Sequence, residues 1–144
     1  MAGGISKWNG DAVNAAAARE TVRILTEASR LVLREVQESM RQDKTGIVYK
    51  KANTKATWQA SAPGEAPSAR HTGNLLASMD FDVGEENGIL IGRVGTLGEG
   101  KTGMPTYAAM LELGTVNMAP RPYLVPALEA KAAEIRALFD SRKL

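Results

Sequence analysis

The strongest constraint on the fold is an apolar stripe with helical spacing in the first third of the chain. Apolar side chains recur there every three or four residues, which places them on one face of an α-helix. They are Ile24, Leu25, Ala28, Leu31, Val32, Val36 and Met40. With Asp11 as the N-cap, the pattern predicts a long helix that ends near Arg41 and buries this face. The charged residues opposite predict a solvated face or, as the alternative, a face that contacts a neighbouring copy.

A hairpin and a second helix are predicted in the second half of the chain. Residues 79–83 alternate apolar and polar, residues 84–88 have turn composition, and residues 89–94 form the returning strand. A second apolar stripe predicts a C-terminal helix that ends near Ser141. It consists of Leu124, Leu128, Ala132, Ile135 and Phe139.

These elements predict an α+β fold for the 144-residue chain, organised as one domain. A long N-terminal helix and a C-terminal helix pack on a small antiparallel sheet with a long central loop. Residues 1–10 contain three glycines and predict a flexible N-terminus, and residues 95–105 predict a glycine-rich loop.

Composition excludes several kinds of site. The chain has no cysteine and one histidine, His71, which excludes disulfides, thiolate metal sites and a multi-histidine site within one chain. No apolar run approaches the roughly 18 residues of a membrane-spanning helix, so we expect no membrane contact. The acidic residues of the hairpin predict a solvated strand face, and no catalytic constellation is recognisable. We therefore expect a protein that is not an enzyme and needs no cofactor or metal.

The central segment, residues 42–71, is the most basic part of the chain. From Arg41 to His71 there are six basic and two acidic residues, a net charge of +4 against +2 for the whole chain. Residues 47–49 and 57–59 predict two short strands, so the segment is a basic loop or a β-arm. Five of its residues could face DNA: Lys44, Lys50, Lys51, Lys55 and Arg70. In a ring of copies they would contact phosphate non-specifically; the alternative is an exposed loop that charge keeps solvated.

Residues Gly95–Thr102 match the G-x-x-x-x-G-K-[ST] phosphate loop at every fixed position. That motif needs a helix beginning at its lysine and threonine, so that the helix N-terminus faces the phosphates. Here Gly103 and Met104 precede Pro105, which disfavours a helix at this place. The strand before the motif is also predicted to belong to an antiparallel hairpin. A nucleotide-binding protein is therefore the disfavoured alternative.

The arm, residues 107–126, combines features that folding alone does not require. Residues 107–113 predict two turns of helix, Gly114 a left-handed stop, and residues 115–119 an extended strand or arm. Two prolines then flank Arg121 and stiffen its backbone, which lowers the entropy lost when this side chain meets a partner. Pro126 suits the first turn of the last helix. Glu112 either pairs with Arg121 or points outward.

Two blocks of the sequence resemble one family of phage proteins. The first block runs from Pro63-Gly64-Glu65-Ala66-Pro67 to Thr72-Gly73-Asn74-Leu75 and Ser78-Met79. The second comprises Tyr107-Ala108, Glu112-Leu113-Gly114-Thr115 and Pro120-Arg121-Pro122-Tyr123-Leu124-Val125-Pro126-Ala127-Leu128. In this order the blocks are similar to the small head–tail joining, or tail-completion, proteins of long-tailed bacteriophages.

The resemblance implies a structural protein of the phage neck or tail that forms an oligomeric ring, most naturally six-fold. Its partners would be copies of itself and neighbouring neck and tail proteins, contacted through the arm and through residues 41–71. Packaged DNA is a partner that the basic residues suggest, and not the resemblance. Its location would be the virion, and the host cytoplasm before assembly. A tail terminator or minor tail subunit is the alternative within the same class. The implied contact residues between subunits are Tyr107, Glu112, Gly114, Thr115, Pro120, Arg121, Pro122, Tyr123 and Pro126.

Overall fold

The computed structural model describes residues 10–69, 73–96 and 107–142, and it has the predicted mixed α+β architecture. Its elements are α1 (Gly10–Arg41), β1 (Val48–Lys50), β2 (Thr57–Gln59), α2 (Asn74–Ser78), β3 (Met79–Glu86), β4 (Ile89–Thr96), α3 (Ala108–Leu113) and α4 (Leu124–Asp140). The β-structure forms two separate two-stranded antiparallel sheets, β1–β2 and β3–β4, where one sheet was expected. Of the predicted flexible N-terminus, residues 1–9 lie outside the described residues, and Gly10 already belongs to α1.

The predicted apolar stripe of α1 forms the centre of the core. The buried residues of α1 are Ile24, Ala28, Ser29, Val32, Val36 and Met40. The C-terminal part of this face packs with buried side chains from α2, β3, α3 and α4, namely Leu75, Met79, Ala108 and Ala127, together with Tyr123 just before α4. The helix is therefore the common surface on which the other elements assemble.

The β3–β4 hairpin packs on α1 through one of its two faces. Its strands run to Glu86 and from Ile89, so the turn consists of Asn87 and Gly88, which is shorter than the predicted turn of residues 84–88. Both turn residues have positive φ, 52° and 78°, as a type I′ turn requires. Gly92 allows the close approach to α1, because a Cβ there would lie 2.7 Å from the Ser29 Oγ.

α4 crosses α1, but its predicted apolar stripe is only partly correct. Ala127, which is outside that stripe, is the buried residue of α4, whereas Leu128 is 53% exposed. The small Ala127 side chain allows the close contact, so the larger side chains of the stripe border an open apolar groove of about 300 Å³ between α1, β4 and α4. On the polar side, the Lys131 Nζ lies 3.4 Å from a carboxylate oxygen of Glu35 in α1.

Candidate functional site

The arm begins with α3 and a glycine that no other residue could replace without strain. Gly114 has φ 76° and ψ 178°, a backbone conformation that is essentially restricted to glycine. Its N–H donates to the Met110 carbonyl at 2.8 Å, which ends the helix. A Cβ at this position would lie 2.9 Å from both the Met118 carbonyl oxygen and the Pro120 Cδ. The positive φ of the predicted left-handed stop is confirmed, but the ψ of 178° places Gly114 outside the left-handed helical region. Crowding by the arm itself adds to the requirement for glycine.

A tight turn follows Gly114, so the predicted extended conformation of residues 115–119, as a strand or an arm, is wrong. Thr115 and Met118 form an isolated antiparallel bridge, with the Thr115 N–H donating to the Met118 carbonyl at 2.8 Å. The Thr115 hydroxyl accepts the Asn117 N–H at 3.3 Å, a local bond that favours a turn over a strand. The turn leaves the Val116 side chain fully exposed.

Glu112 caps the N-terminus of α4, which neither sequence-based alternative anticipated. Its carboxylate accepts the backbone N–H groups of Tyr123, Leu124 and Val125 at 2.7, 3.0 and 3.0 Å. The next residue, Pro126, has no N–H, so every donor that the first turn leaves without an intrahelical partner is accounted for. A carboxylate is well suited to this position because the N-terminus of a helix carries partial positive charge.

Arg121 joins the arm to the central segment instead of pairing with Glu112. Its Nε donates to the Ser61 carbonyl at 3.1 Å, and its backbone N–H donates to the Leu111 carbonyl at 2.7 Å. A neighbouring backbone bond, from Gly64 N–H to the Pro120 carbonyl at 3.0 Å, strengthens the same junction. The proline-flanked backbone therefore presents Arg121 to another part of its own chain.

Tyr123 is a core residue, so the implied role of its side chain in subunit contact is wrong. The side chain is 2% exposed, and its hydroxyl donates to the Ala108 carbonyl at 3.2 Å. Burial raises the pKa of Tyr123 to about 12, and the nearby Glu112 carboxylate and Tyr107 act in the same direction. Of the other implied contact residues, four are exposed: Tyr107, Thr115, Pro120 and Pro126. The remaining four are half-buried: Glu112, Gly114, Arg121 and Pro122.

The central segment forms a β-hairpin, which confirms both of its predicted strands. β1 and β2 pair with Tyr49 opposite Trp58, and the two rings stack with centroids 5.1 Å apart. The Lys51 N–H donates to the Ala56 carbonyl at 2.9 Å and closes the loop beyond the strands. This hairpin, which we call the central hairpin, thus has an ordered tip.

A carboxylate also anchors the base of the central hairpin. Glu65 accepts the Thr45 hydroxyl at 2.6 Å, the Thr45 N–H at 3.1 Å and the Ala62 N–H at 2.8 Å. These hydrogen bonds lower the pKa of Glu65 to about 2, because they stabilise the charged form. Sequence analysis did not select Glu65 as a site residue, although it lies in the first block of the resemblance.

Lys44 is buried, so its predicted place on a DNA-facing surface is wrong. The residue is 8% exposed, and its Nζ donates to the Ser39 carbonyl at 2.6 Å. Burial lowers the pKa of Lys44, and the opposing influence of Glu65 is smaller. Lys50, Lys51 and Lys55 are exposed, as predicted, and Arg70 lies outside the described residues.

The exposed apolar residues near α3 were not selected from the sequence. Met110 and Leu113 are 52% and 77% exposed, three residues apart on α3, and the exposed Val116 follows in the turn. We call these three residues the apolar set. Their signal in the sequence is weak, because short apolar helices are more often buried than exposed.

The strand before the phosphate-loop match belongs to an antiparallel hairpin, as predicted. Gly95 and Thr96 lie in β4, where they pair with Asp80 and Met79. The rest of the match and of the predicted glycine-rich loop, residues 97–105, lies outside the described residues. In the part of the chain that the structure describes, no three His, Cys, Asp or Glu side chains cluster closely enough to hold a metal ion. No helix within those ranges is long and apolar enough to cross a membrane.

Comparisons of the chain with known protein families, curated proteins and solved structures found no match.

Proposed function

We propose that this protein is a structural component of a bacteriophage neck or tail, where copies of it assemble into a ring that completes the tail or joins it to the head. The proposal begins from the ordered resemblance of residues 63–79 and 107–128. Its partners would be further copies of the chain, six in a ring that matches a six-fold tail, and the adjoining neck and tail proteins. It assigns no catalytic reaction to the chain.

One observation supports this proposal more than any other: the two blocks of the resemblance are in contact. Gly64, from the first block, donates its N–H to the carbonyl of Pro120 in the second at 3.0 Å. Arg121 reinforces this junction through Ser61, which lies two residues before the first block. Residues separated in sequence thus meet at one junction, as expected if both blocks serve the same contact.

The apolar set supports assembly on physical grounds. Exposed apolar area favours association, at about 25 cal/mol for each Å² removed from water. Met110, Leu113 and Val116 belong to one seven-residue stretch of the arm. All three are more than half exposed in the single chain. A neighbouring copy that covered them would remove this area from water.

A variant with a matched control tests the proposed assembly. We expect purified protein to form a discrete oligomer by light scattering and native mass spectrometry, with six-fold rings in electron micrographs. Val116→Asp should shift the mass to the monomer, because a charge would then have to be buried at the contact. Ile89→Asp, at a 63% exposed position in the β3–β4 hairpin, should leave the oligomer intact.

The proposal fails if phage particles that carry the gene contain no copies of the protein, or a number of copies incompatible with a ring. Equal dissociation by Val116→Asp and Ile89→Asp would remove the arm from the contact. Circular dichroism of both variants separates loss of assembly from loss of folding.

A further inference from the structure

The central hairpin concentrates positive charge at the end that is farthest from the core. From Thr45 to Gly64 the chain contains three lysines and no acidic residue. These lysines, Lys50, Lys51 and Lys55, lie within six residues, all are exposed, and we call them the basic tip. The two nearest acids do not neutralise the tip: Glu65 accepts hydrogen bonds at the hairpin base, and Asp43 precedes it.

The hairpin holds the basic tip in a defined shape. The bond from Lys51 to Ala56 closes the loop, and the Thr54 hydroxyl accepts the Ala56 N–H at 3.2 Å inside it. Asn53 supplies the positive φ, 60°, that the loop needs. Below the tip, the stacked Tyr49 and Trp58 rings stiffen the ribbon. Less conformational entropy is therefore lost when the lysines meet a ligand.

Two of the lysines point to opposite faces if the alternation of β1 continues by one residue. Lys50 is on the face opposite Tyr49, and Lys51, whose N–H bonds across the ribbon to the Ala56 carbonyl, would then share the face of Tyr49. A flat anionic surface could contact one of these faces at a time. A groove bordered by two rows of negative charge would contact both, if the ribbon entered it tip first.

The tip half of the hairpin is exposed, from Lys50 to Thr57, whereas Trp58 and Gln59 are half-buried. Apart from the pairing of its own strands, it makes no extensive contact with the other described helices and strands. Two-stranded ribbons fit the major groove of B-DNA, which is about 12 Å wide and has phosphates along both edges. We infer that the basic tip is a non-specific binding site for double-stranded DNA, with the ribbon directed into a groove and its lysines on the phosphates of both strands.

This inference is independent of ring assembly, and it is tested on the purified chain. Fluorescence anisotropy would measure binding to a labelled duplex of about 30 base pairs at 50 to 200 mM KCl. Three phosphate contacts give a slope of about −2.7 in log K against log salt, so affinity should fall about 40-fold over this range. Duplexes of unrelated sequence should bind equally.

Three charge variants give the decisive comparison. Lys50→Gln, Lys51→Gln and Lys55→Gln combined should remove most of the binding and flatten the salt slope. Lysine-to-arginine changes at the same three positions should retain both, because the charge is kept. A matched control combines Arg34→Gln, Arg136→Gln and Arg142→Gln, three exposed positions on or next to the helices; it also lowers the net charge from +2 to −1, and it should bind like the wild type.

Two results would overturn the inference. Equal loss of binding in the glutamine variant and in the matched control would show that net charge, and not the tip, is responsible. Polyglutamate that binds the tip as tightly as the duplex would identify an acidic protein surface as the ligand class. Neither result would alter the oligomeric state on which the proposed function is tested.

Discussion

In the arm, the Glu112 carboxylate accepts three backbone N–H groups at the start of α4, and in the central segment the Glu65 carboxylate accepts two N–H groups and a hydroxyl at the base of a hairpin. The two anchors are similar, but what they hold differs. The arm turns its polar groups inward, since Arg121 and Tyr123 bond to carbonyls of their own chain. The central hairpin turns its lysines outward.

This difference shows that stiffness and availability to a partner are separate properties. Two prolines stiffen the backbone on either side of Arg121, yet its guanidinium bonds within the chain and holds the two regions together. The groups that face solvent are simpler ones, the apolar set in one region and the basic tip in the other. The arm is thus best described as an internal junction that positions both surfaces.

The largest expected effect is on the free energy of unfolding, when one glycine of the arm and one of the central segment are each replaced by alanine. Gly114→Ala should destabilise the protein by about 3 kcal/mol, because it combines a glycine-restricted conformation with overpacking against Met118 and Pro120. Gly64→Ala, at φ 86° but with open space around the new Cβ, should cost only about 1 kcal/mol. Urea unfolding of both variants measures the difference. Similar losses would contradict the view that the arm is the more tightly packed region.

The next effect concerns the anchor of the arm. Glu112→Ala leaves three N–H groups of the first α4 turn without their acceptor, and it should destabilise the protein by about 2 kcal/mol. Glu129→Ala removes an exposed carboxylate of the same helix, and the unfolding free energy should change little. An equal change in both variants would mean that water replaces Glu112 as the cap at no cost.

The smallest effect is a pH dependence from the anchor of the central segment. The folded pKa of Glu65 is about 2, below the ordinary 4.5. Its contribution to stability is therefore fully present above about pH 4.5 and is lost as the pH falls towards 2. Wild type should lose more unfolding free energy between pH 5 and pH 3 than Glu65→Gln does. The control Glu85→Gln changes an exposed carboxylate of β3, and its loss should equal that of the wild type; an equal loss in Glu65→Gln would refute the assignment.

Local pattern was sufficient to predict most of the elements. The stripe from Ile24 to Met40 predicted α1 and its buried face, and the two short β segments of the central region were placed within a residue. Side-chain periodicity and turn chemistry depend on residues close together in sequence, so both can be recognised before the fold is known. The prediction of the buried face of α4 was less successful. Ala127 is buried because of where α4 lies on α1, which the periodicity of α4 does not reveal.

The partners of individual side chains were not predictable in the same way. Glu112 bonds to residues 11 to 13 positions away, and Arg121 to a residue 60 positions away. The sequence predicted only that Glu112 pairs with Arg121, in its own chain or a neighbour, or points outward. Lys44 was likewise counted with the exposed lysines until the fold buried it.

The sequence by itself determined the two long helices, the β3–β4 hairpin, the two short strands of the central segment, the glycine stop at Gly114 and the basic character of the central segment. Tertiary structure alone decided which charges face water and which carboxylate caps α4. It also decided that the two blocks that carry the resemblance meet at Gly64 and Pro120. The physical reason is range: backbone propensities are local, whereas hydrogen bonds and burial depend on which distant segments the core brings together.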